Sequence, residues 1–433
     1  MAPGRPTMGV KVAVVGAGST YTPELVDGFA SRQQELPIDE LTLLDIDDER
    51  MAIVGGLSQR ILERRGWSGR LTLTGDRDQA LEGADFVVIQ LRVGGQKARF
   101  VDETLPLRFG CIGQETTGPG GFAKALRTVP LVLELAEQTA ARGASGAWIV
   151  DFTNPVGIVM QALLDEGHHA IGLCNVAIGL QRRFAAMFGV PPERVELEHV
   201  GLNHLTWERR VLVDGIDRLP ELLEAHGEAL AEEANVPAEL IQLLRMVPSY
   251  YLHYFYLTDE VLKEQLGGRT RAEEVMEIER DLLEMYKDPT LNEKPALLEQ
   301  RGGAYYSEAA AQLIASLQAG TGDVQVVDIR NDGTIPGLPD DAVVEVPARI
   351  DREGAHPIAV TALEPEIGGL VQQVKAYERL TVRAAAGGDR KAALKALVAN
   401  PLVSDYSVAA PLLEDLLAAN RDYLPRFFSE ARA

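Results

Sequence analysis

Two short turns rich in glycine and asparagine carry the first candidates for chemistry in this chain. Cys174 lies in the sequence GLCN at residues 172–175, and His204 ends the sequence GLNH at residues 201–204. Thiolate and imidazole are both metal ligands, and a pair of protein ligands leaves open positions for substrate oxygens, which suits a catalytic ion such as Mn²⁺. The alternative is ordinary packing, because a lone cysteine after an apolar strand is usually a small core residue.

The sequence VVGAGSTY at residues 14–21 has the glycine spacing of a dinucleotide-binding loop. It follows a predicted strand and opens a predicted helix, so its backbone amides could approach a pyrophosphate closely. Asp45 follows the next strand, where a carboxylate would bond a ribose hydroxyl and repel a 2′-phosphate, which favours NAD over NADP. Because Tyr21 replaces the usual third glycine, a purely structural turn is the alternative. The residues that we predict at the cofactor are Gly16, Gly18, Ser19, Thr20 and Asp45.

Residues 92–121 form a charged and glycine-rich segment with little helical or strand periodicity. A long irregular segment inside a compact α/β protein is usually functional, so we predict a functional loop here. Arg92 and Arg99 could clamp a substrate oxygen or phosphate, and Glu115 could orient a neighbouring acid or base. Taken singly, each charge is more often a solvated surface group than a functional one. Cys111 has no comparable setting and is predicted to be a packing residue.

The sequence VPSYYLHYFY at residues 247–256 places four tyrosines within seven residues. A tyrosine that acts as a base needs a nearby cation or metal, because its unperturbed pKa is about 10. The alternative for most of these tyrosines is an aromatic helix face packed in the core. His253 is predicted to be a packing or surface residue rather than a metal ligand.

Six predicted strands, separated by predicted helices, would have to position these residues. Alternation of this kind indicates a doubly wound parallel sheet, with a ligand at the carboxyl ends of its strands. Gly16, Asp45, Arg92, Asn154 and Cys174 each follow one of these strands. The predicted strands are 11–15, 41–44, 71–74, 86–90, 147–151 and 170–173.

The second half of the chain has a different pattern. A strand is predicted at 207–213, helices dominate 220–317, strands recur within 324–360, and helical patterns close the chain. We therefore predict an α/β protein with two parts. Residues 1–176 form a Rossmann-like NAD-binding domain, and residues 177–433 form an α+β domain for catalysis and oligomerisation.

Composition excludes several classes of partner. The net charge is −22, from 64 acidic and 42 basic residues, which disfavours binding to nucleic acid or to anionic membranes. We find no signal-peptide pattern and no apolar run long enough to span a bilayer. Two cysteines in 433 residues form no disulfide framework, so we expect a cytoplasmic protein.

Together these motifs resemble glycoside hydrolase family four, the NAD- and metal-dependent glycosidases. The resemblance implies a second domain similar to that of the lactate and malate dehydrogenase superfamily. Family members that act on 6-phospho-α-glucosides, α-galactosides or α-glucuronides usually have histidine where this chain has Asn175, so the chain looks like the 6-phospho-β-glucosidase branch. The matching segments are 14–25, 43–47, 92–99, 113–121, 153–157, 172–175, 201–207, 250–256 and 399–406.

The family resemblance assigns roles to individual residues. It implies that Cys174 and His204 bind Mn²⁺ or another divalent metal, and that Tyr251 is the catalytic base, with Tyr250 and Tyr254 as alternatives. It implies that Glu115 modulates this base. The substrate contacts implied or suggested by the matching motifs are Arg99, Asn154, Asn175 and Arg271.

The implied reaction is hydrolysis of 6-phospho-β-glucosides, such as cellobiose 6-phosphate, to glucose 6-phosphate and the aglycone. It would proceed through NAD-dependent oxidation at C3, deprotonation at C2, elimination, addition of water and re-reduction. The alternatives are another glycosidase of the family acting on a 6-phospho-α-glucoside or an unphosphorylated glycoside, a 2-hydroxy-acid dehydrogenase, and a non-catalytic NAD-sensing protein. The family's habit also suggests a homodimer or homotetramer.

Overall fold

A computed structural model describes residues 9–303, 305–403 and 405–428 of the chain. Within these residues the strands form a nine-stranded sheet and a smaller, four-stranded sheet. The strands are β1 (Val10–Val15), β2 (Ile38–Leu44), β3 (Arg70–Thr74), β4 (Phe86–Ile89), β5 (Trp148–Asp151), β6 (Ala170–Gly172), β7 (Val195–Leu202), β8 (Leu205–Val213), β9 (Ile216–Asp217), β10 (Val247–Pro248), β11 (Val324–Arg330), β12 (Val343–Asp351) and β13 (Gly354–Pro357).

The first six strands are parallel and lie in the order β3-β2-β1-β4-β5-β6. This is the strand order of doubly wound dinucleotide-binding sheets. The six predicted strands are therefore confirmed, with ends shifted by a few residues. The apolar runs predicted them well because helices cover both faces of such a sheet, so that a central strand such as β4 is buried throughout.

Helices occupy most of the remaining described chain. Several begin with a side-chain cap, such as Asp47, which accepts a hydrogen bond from the Arg50 amide at the start of α2. The helices are α1 (Thr22–Ser31), α2 (Asp48–Arg64), α3 (Arg77–Leu81), α4 (Gly95–Thr104), α5 (Gly118–Arg142), α6 (Val156–Asp165), α7 (Asn175–Phe188), α8 (Leu219–Ala234), α9 (Ala238–Leu244), α10 (His253–Tyr256), α11 (Thr258–Gly267), α12 (Arg271–Tyr286), α13 (Leu297–Gln300), α14 (Tyr306–Ala319), α15 (Pro365–Gly387), α16 (Arg390–Ala399), α17 (Tyr406–Ala419) and α18 (Pro425–Phe428).

The segment 92–121, predicted to be an irregular loop, contains the ten-residue helix α4. That part of the prediction was wrong. The buried residues of α4 include Arg99, Asp102 and Glu103, which are charged and have ionic partners. A helix that buries charged side chains lacks the apolar repeat by which amphipathic helices are recognised.

The second half of the chain contributes to both sheets. Strands β11, β12 and β13 extend the large sheet beyond β6 in antiparallel fashion, with Asp328 of β11 opposite Gly172. The small antiparallel sheet has the order β10-β8-β7, and β9 pairs with the last two residues of β8. The division at residue 176 stays a prediction. Among the described residues, no helix combines the length and apolarity needed to cross a bilayer.

Candidate active site

A cavity of about 1630 Å³ opens at the carboxyl ends of the parallel strands β1, β2, β4 and β5. One continuous wall includes the glycine loop, the turn before α5 and the tyrosine segment. The predicted site residues in this wall are Gly16, Gly18, Ser19, Asp45, Arg99, Glu115, Asn154, Asn175, Tyr251 and Arg271. The other predicted site residues, Thr20, Cys174 and His204, are buried and lie outside the lining of this cavity.

The glycine loop has the close packing that a dinucleotide site needs. Gly16 has a φ of +87°, and a Cβ atom there would lie 2.8 Å from the Cα of Leu91. The Gly18 amide donates a 2.7 Å hydrogen bond to Oδ2 of Asp45, whose Cγ would be 2.8 Å from a Cβ at Gly18. The position of Gly16 therefore requires glycine, a Cβ at Gly18 would displace the Asp45 carboxylate, and the loop fits the backbone approach of a pyrophosphate.

Tyr21, at the position of the usual third glycine, is buried and packs across to α14. Its hydroxyl donates to the carbonyl of Gly303 at 2.7 Å and accepts from the amide of Ser307 at 3.0 Å. The larger side chain of Tyr21 is accommodated because its hydroxyl forms hydrogen bonds with α14 and with the segment before it. These bonds connect the glycine loop to a segment nearly 300 residues away.

Thr20 is buried and does not line the cavity; it stabilises the loop through a hydrogen bond. Its hydroxyl accepts a 2.7 Å hydrogen bond from Nε of Arg301, and Arg301 also contacts Glu279 at 3.1 Å. Glu279 accepts a further bond from Gln96 at 2.9 Å. Arg301, Glu279 and Gln96 line the cavity and were not predicted, because nothing in the local sequence connects them with the loop.

Glu115 is the centre of the charge network in the cavity wall. Its carboxylate accepts hydrogen bonds from both terminal nitrogens of Arg92 and a 2.7 Å bond from Nζ of Lys124, with Nε of Arg99 at 3.5 Å. Burial alone would raise the pKa of Glu115, but the three cations outweigh it and hold the pKa well below its usual range. Arg92 thus clamps a protein carboxylate, whereas the sequence suggested a substrate oxygen.

Arg99 and Arg271 are connected through Glu103 and the start of α12. Nε of Arg99 donates to Oε1 of Glu103 at 2.7 Å, and Oε2 of Glu103 accepts from the amide of Ala272 at 2.7 Å. This carboxylate bonds a free amide in the first turn of α12, where negative charge is favourable. Arg271, the preceding residue, is half-exposed at the cavity and pairs with Glu274.

Lys124 is a site residue that the sequence interpretation missed. It lies inside α5, in the otherwise apolar sequence FAKAL, and is buried against Glu115. Burial and the neighbouring charge of Arg92 lower its pKa to about 7, although Glu115 opposes the shift. A charged residue in the middle of an apolar helix was the signal that could have identified it.

Tyr251 and His204 are in direct contact. Their rings are stacked with centroids 3.6 Å apart and an interplanar angle of 11°. Tyr251 belongs to the 3-10 turn Tyr250–Leu252, and burial raises the pKa of its phenol. Burial and the charge of Lys124 lower the pKa of His204 to about 3, which keeps the imidazole neutral. His253 is buried in packing contacts with Tyr254, in agreement with its prediction.

The protein groups around Cys174 and His204 fit a metal ion. Nδ1 of His204 is buried and has no hydrogen-bond partner in the described part of the chain, and neutral imidazole is the form that binds metals. Cys174 is buried at the N-cap of α7, directly after the turn that follows β6. Burial raises the pKa of the Cys174 thiol, and coordination would remove that proton. Cys111, by contrast, is buried in the main hydrophobic core, as predicted.

The parallel sheet, the glycine loop and the cavity at the strand ends are typical of the dinucleotide-binding α/β class. Within that class the chain belongs to the family 4 glycosyl hydrolases. The family profile matches residues 11–190, and the profile of the family's C-terminal domain matches residues 199–403.

Relatives and solved structures agree with this membership. The chain is 43% identical to the probable 6-phospho-beta-glucosidase of Bacillus subtilis (strain 168), over 99% of this chain and 100% of the relative. A solved structure of the 6-phospho-beta glucosidase from Thermotoga maritima with manganese, NAD⁺ and glucose-6-phosphate is 38% identical, with a TM-score of 0.90 over 96% of this chain and 99% of that one.

A more distant likeness concerns the fold alone. Malate dehydrogenase from Plasmodium falciparum in complex with NADH superposes with a TM-score of 0.52 at 14% identity, over 87% of this chain and 98% of that one. The predicted likeness of the fold to malate dehydrogenase is therefore confirmed.

Proposed function

We propose that this protein is a 6-phospho-β-glucosidase that hydrolyses compounds such as cellobiose 6-phosphate to glucose 6-phosphate and the aglycone, using NAD and a divalent metal, Mn²⁺. One observation carries the proposal. Tyr251, stacked on His204, lies in the wall of the same cavity as the glycine loop. A base and a dinucleotide site that share one cavity, with a metal ligand in contact with the base, can act on one sugar ring. The two relatives described above support the choice of substrate.

When bound, NAD⁺ would supply a hydride acceptor for C3 of the sugar, and the metal would supply a Lewis acid that acidifies the C2 proton. The glycine loop and Asp45 would hold the dinucleotide, and Cys174 with His204 would hold the metal. Tyr251 accepts the C2 proton as general base and returns a proton when water has added. Glu115 keeps Arg92, Arg99 and Lys124 grouped in the wall of the cavity that Tyr251 also lines.

The substrate contacts are Arg99, Asn154, Asn175 and Arg271. Oδ1 of Asn154 is buried and lacks a hydrogen-bond partner among the described residues, so it can accept a bond from a sugar hydroxyl. Arg99 and Arg271 supply positive charge for an anionic sugar. Asn175 and Arg271 are the first residues of α7 and α12, where the helix dipoles also favour negative charge. This arrangement supports a 6-phosphorylated substrate.

The decisive experiment supplies the purified protein with p-nitrophenyl 6-phospho-β-glucoside, NAD⁺ and Mn²⁺. We expect p-nitrophenol release that depends on both additions, without net accumulation of NADH. The matched controls are the 6-phospho-α-glucoside and the unphosphorylated β-glucoside. Faster cleavage of either control would assign the protein to another branch of the family. Stoichiometric NADH from a 2-hydroxy acid would support a dehydrogenase, and NAD⁺ binding without any turnover would support a sensor.

We further propose that the protein is a cytoplasmic homodimer or homotetramer whose partner is a small phosphorylated sugar. We also propose that residues 1–176 and 177–433 divide it into a cofactor domain and a catalytic and oligomerisation domain. Light scattering coupled to size-exclusion chromatography tests the subunit number, and a monomeric mass at micromolar concentration would contradict it.

A further inference from the structure

His204 occupies the tip of a tight hairpin whose conformation is closely constrained. Leu202 of β7 pairs with Leu205 of β8, so Asn203 and His204 alone form the turn. The φ of His204 is +64°, and that of Gly201 is +139°. Two-residue hairpin turns favour positive φ, which glycine and asparagine adopt more readily than histidine. The position of the imidazole therefore depends on the conformation of this turn and on the contacts that hold the turn in place.

A buried hydrogen-bond chain fixes the turn to the large sheet. Nδ2 of Asn203 donates to Oε2 of Glu345 at 2.8 Å. Oε1 of Glu345 lies 2.8 Å from Nε2 of His199, and Nδ1 of His199 lies 2.6 Å from Oε1 of Glu208. All four residues are buried, with Asn203 the most exposed at 8%. Asn203, His199 and Glu208 belong to the hairpin, whereas Glu345 belongs to β12.

Strand register relates Glu345 to the segment that carries Cys174. Glu345 of β12 is opposite Asp328 of β11, and Asp328 is opposite Gly172 of β6. Cys174 follows Gly172 by two residues. The three adjacent strands therefore hold Glu345 at a fixed position relative to the strand that leads into Cys174.

We propose that Glu345 is a positioning residue for the metal site: it binds Asn203 and thereby sets the place of His204 relative to Cys174. This inference rests on the proposed function, because it takes Cys174 and His204 as the metal ligands. In the described part of the chain Glu345 bonds His199 and Asn203 and not the side chain of either ligand, so its effect passes through the turn. Groups that orient metal ligands in this way typically affect metal affinity by about 10- to 100-fold.

The test measures Mn²⁺ affinity of the full chain by electron paramagnetic resonance of free Mn²⁺, with NAD⁺ present. Asn203→Ala and Glu345→Ala break the link, and each is expected to raise the Mn²⁺ Kd by about 10- to 100-fold. Glu345→Gln retains an oxygen that accepts from Asn203, so its Kd should return to near the wild-type value. Glu208→Gln is the matched control, since it changes the same chain at the end away from the turn and should leave the Kd within about threefold, below the 10-fold effect of a lost orienting group.

Affinity for NAD⁺, measured by fluorescence titration, separates positioning from general loss of structure. It should stay unchanged in all four variants, whatever their melting temperatures. Wild-type Kd values in both Asn203→Ala and Glu345→Ala would overturn the inference, and so would equal weakening in Glu208→Gln. If Glu345→Ala does not fold, Asn203→Ala decides the matter. Wild-type protein that binds no Mn²⁺ would instead overturn the metal assignment in the proposed function.

Discussion

At the scale of single residues, the ionised form of Glu115 is stabilised by neighbouring cations rather than by solvent. Arg92, Arg99 and Lys124 hold the carboxylate ionised in a buried place. Burial raises the pKa of Tyr251 and the charge of Glu115 raises it further, so the phenol keeps its proton until a positive charge lies close by. A metal held by His204, the residue on which Tyr251 stacks, would supply that charge.

If Tyr251 removes the C2 proton, reaction in D₂O should place deuterium at C2 of the released sugar. Tyr251→Phe should abolish this incorporation and reduce cleavage by about 10²- to 10⁴-fold, the usual contribution of a general base. Mass spectrometry and proton NMR of the product measure both. Two-carboxylate glycosidases leave C2 untouched, so unlabelled product would contradict the mechanism.

The neighbouring tyrosines provide the controls for this experiment. Tyr254 packs in a small hydrophobic cluster with Ile112 and Val261, and Tyr250 is 47% exposed at the cavity. Tyr250→Phe and Tyr254→Phe should therefore retain deuterium incorporation. Its loss in Tyr254→Phe, with retention in Tyr251→Phe, would transfer the role of base to Tyr254.

Asp45 is expected to select NAD⁺ over NADP⁺. It accepts from the Gly18 amide, and its carboxylate would repel a 2′-phosphate. Asp45→Asn keeps an oxygen for Gly18 and removes the charge, so the preference for NAD⁺ in kcat/KM should fall by about tenfold, or about 1.4 kcal/mol. Asp47→Asn is the control, because Asp47 also lines the cavity but caps α2. An unchanged preference in Asp45→Asn would remove Asp45 as the discriminating residue.

At the scale of elements, the β7–β8 hairpin depends on a glycine that no other residue can replace. A Cβ atom at Gly201 would lie 2.1 Å from the carbonyl oxygen of Leu205. Gly201→Ala should lower the free energy of unfolding by more than about 2 kcal/mol, because both the clash and the positive φ oppose it. Urea denaturation measures the change.

Gly215 offers a matched comparison in the following turn. Its φ is +78°, but nothing lies within 4 Å of a Cβ atom there. Gly215→Ala should therefore cost only about 1 kcal/mol, the strain of the backbone alone. Equal effects at the two glycines would show that the contact with Leu205 relaxes and that the hairpin is less constrained than its geometry indicates.

At the scale of the whole molecule, His199 bonds the small sheet to the large one. Burial alone would lower its pKa, but Glu208 and Glu345 outweigh burial and raise it from 6.5 to about 10. A group whose pKa is raised by folding stabilises the protein fully below its unfolded pKa, and this contribution is lost as pH rises through the folded pKa. The stabilising effect of His199 should therefore decrease between about pH 6.5 and pH 10.

Comparison of the wild type with His199→Gln tests this dependence. Urea denaturation at acidic, neutral and alkaline pH should give the largest difference in free energy of unfolding below pH 6.5 and the smallest near pH 10. The difference should be at most about 5 kcal/mol. A difference that is constant across this range would contradict a charged His199 between the two sheets.

The sequence by itself determined those elements in which all residues share one environment, such as strands that are buried on both faces. The central strands β1, β4 and β5 are mostly apolar because helices cover both faces of their sheet, and Gly16 marks the loop because a Cβ there would clash with the backbone of Leu91. The motifs also identified the family and, in Glu115, Asn154 and Tyr251, residues that lie together in one cavity wall.

Only the tertiary structure decided which distant residues meet. Helix α4 escaped prediction because its buried face is charged, with Arg99 paired to Glu103 within the helix and Asp102 paired to Arg127 of α5. Arg301 reaches Thr20 across more than 280 positions, and Glu345 reaches Asn203 across 142. The spacing of apolar residues in a sequence indicates whether a side chain faces the core or the solvent. A hydrogen bond between two distant segments produces no such regular spacing in either segment, so it cannot be predicted in this way. The partners of the glycine loop are therefore set by the packing of the segment around α13 and α14, and those of the turn at Asn203 by the packing of the two sheets.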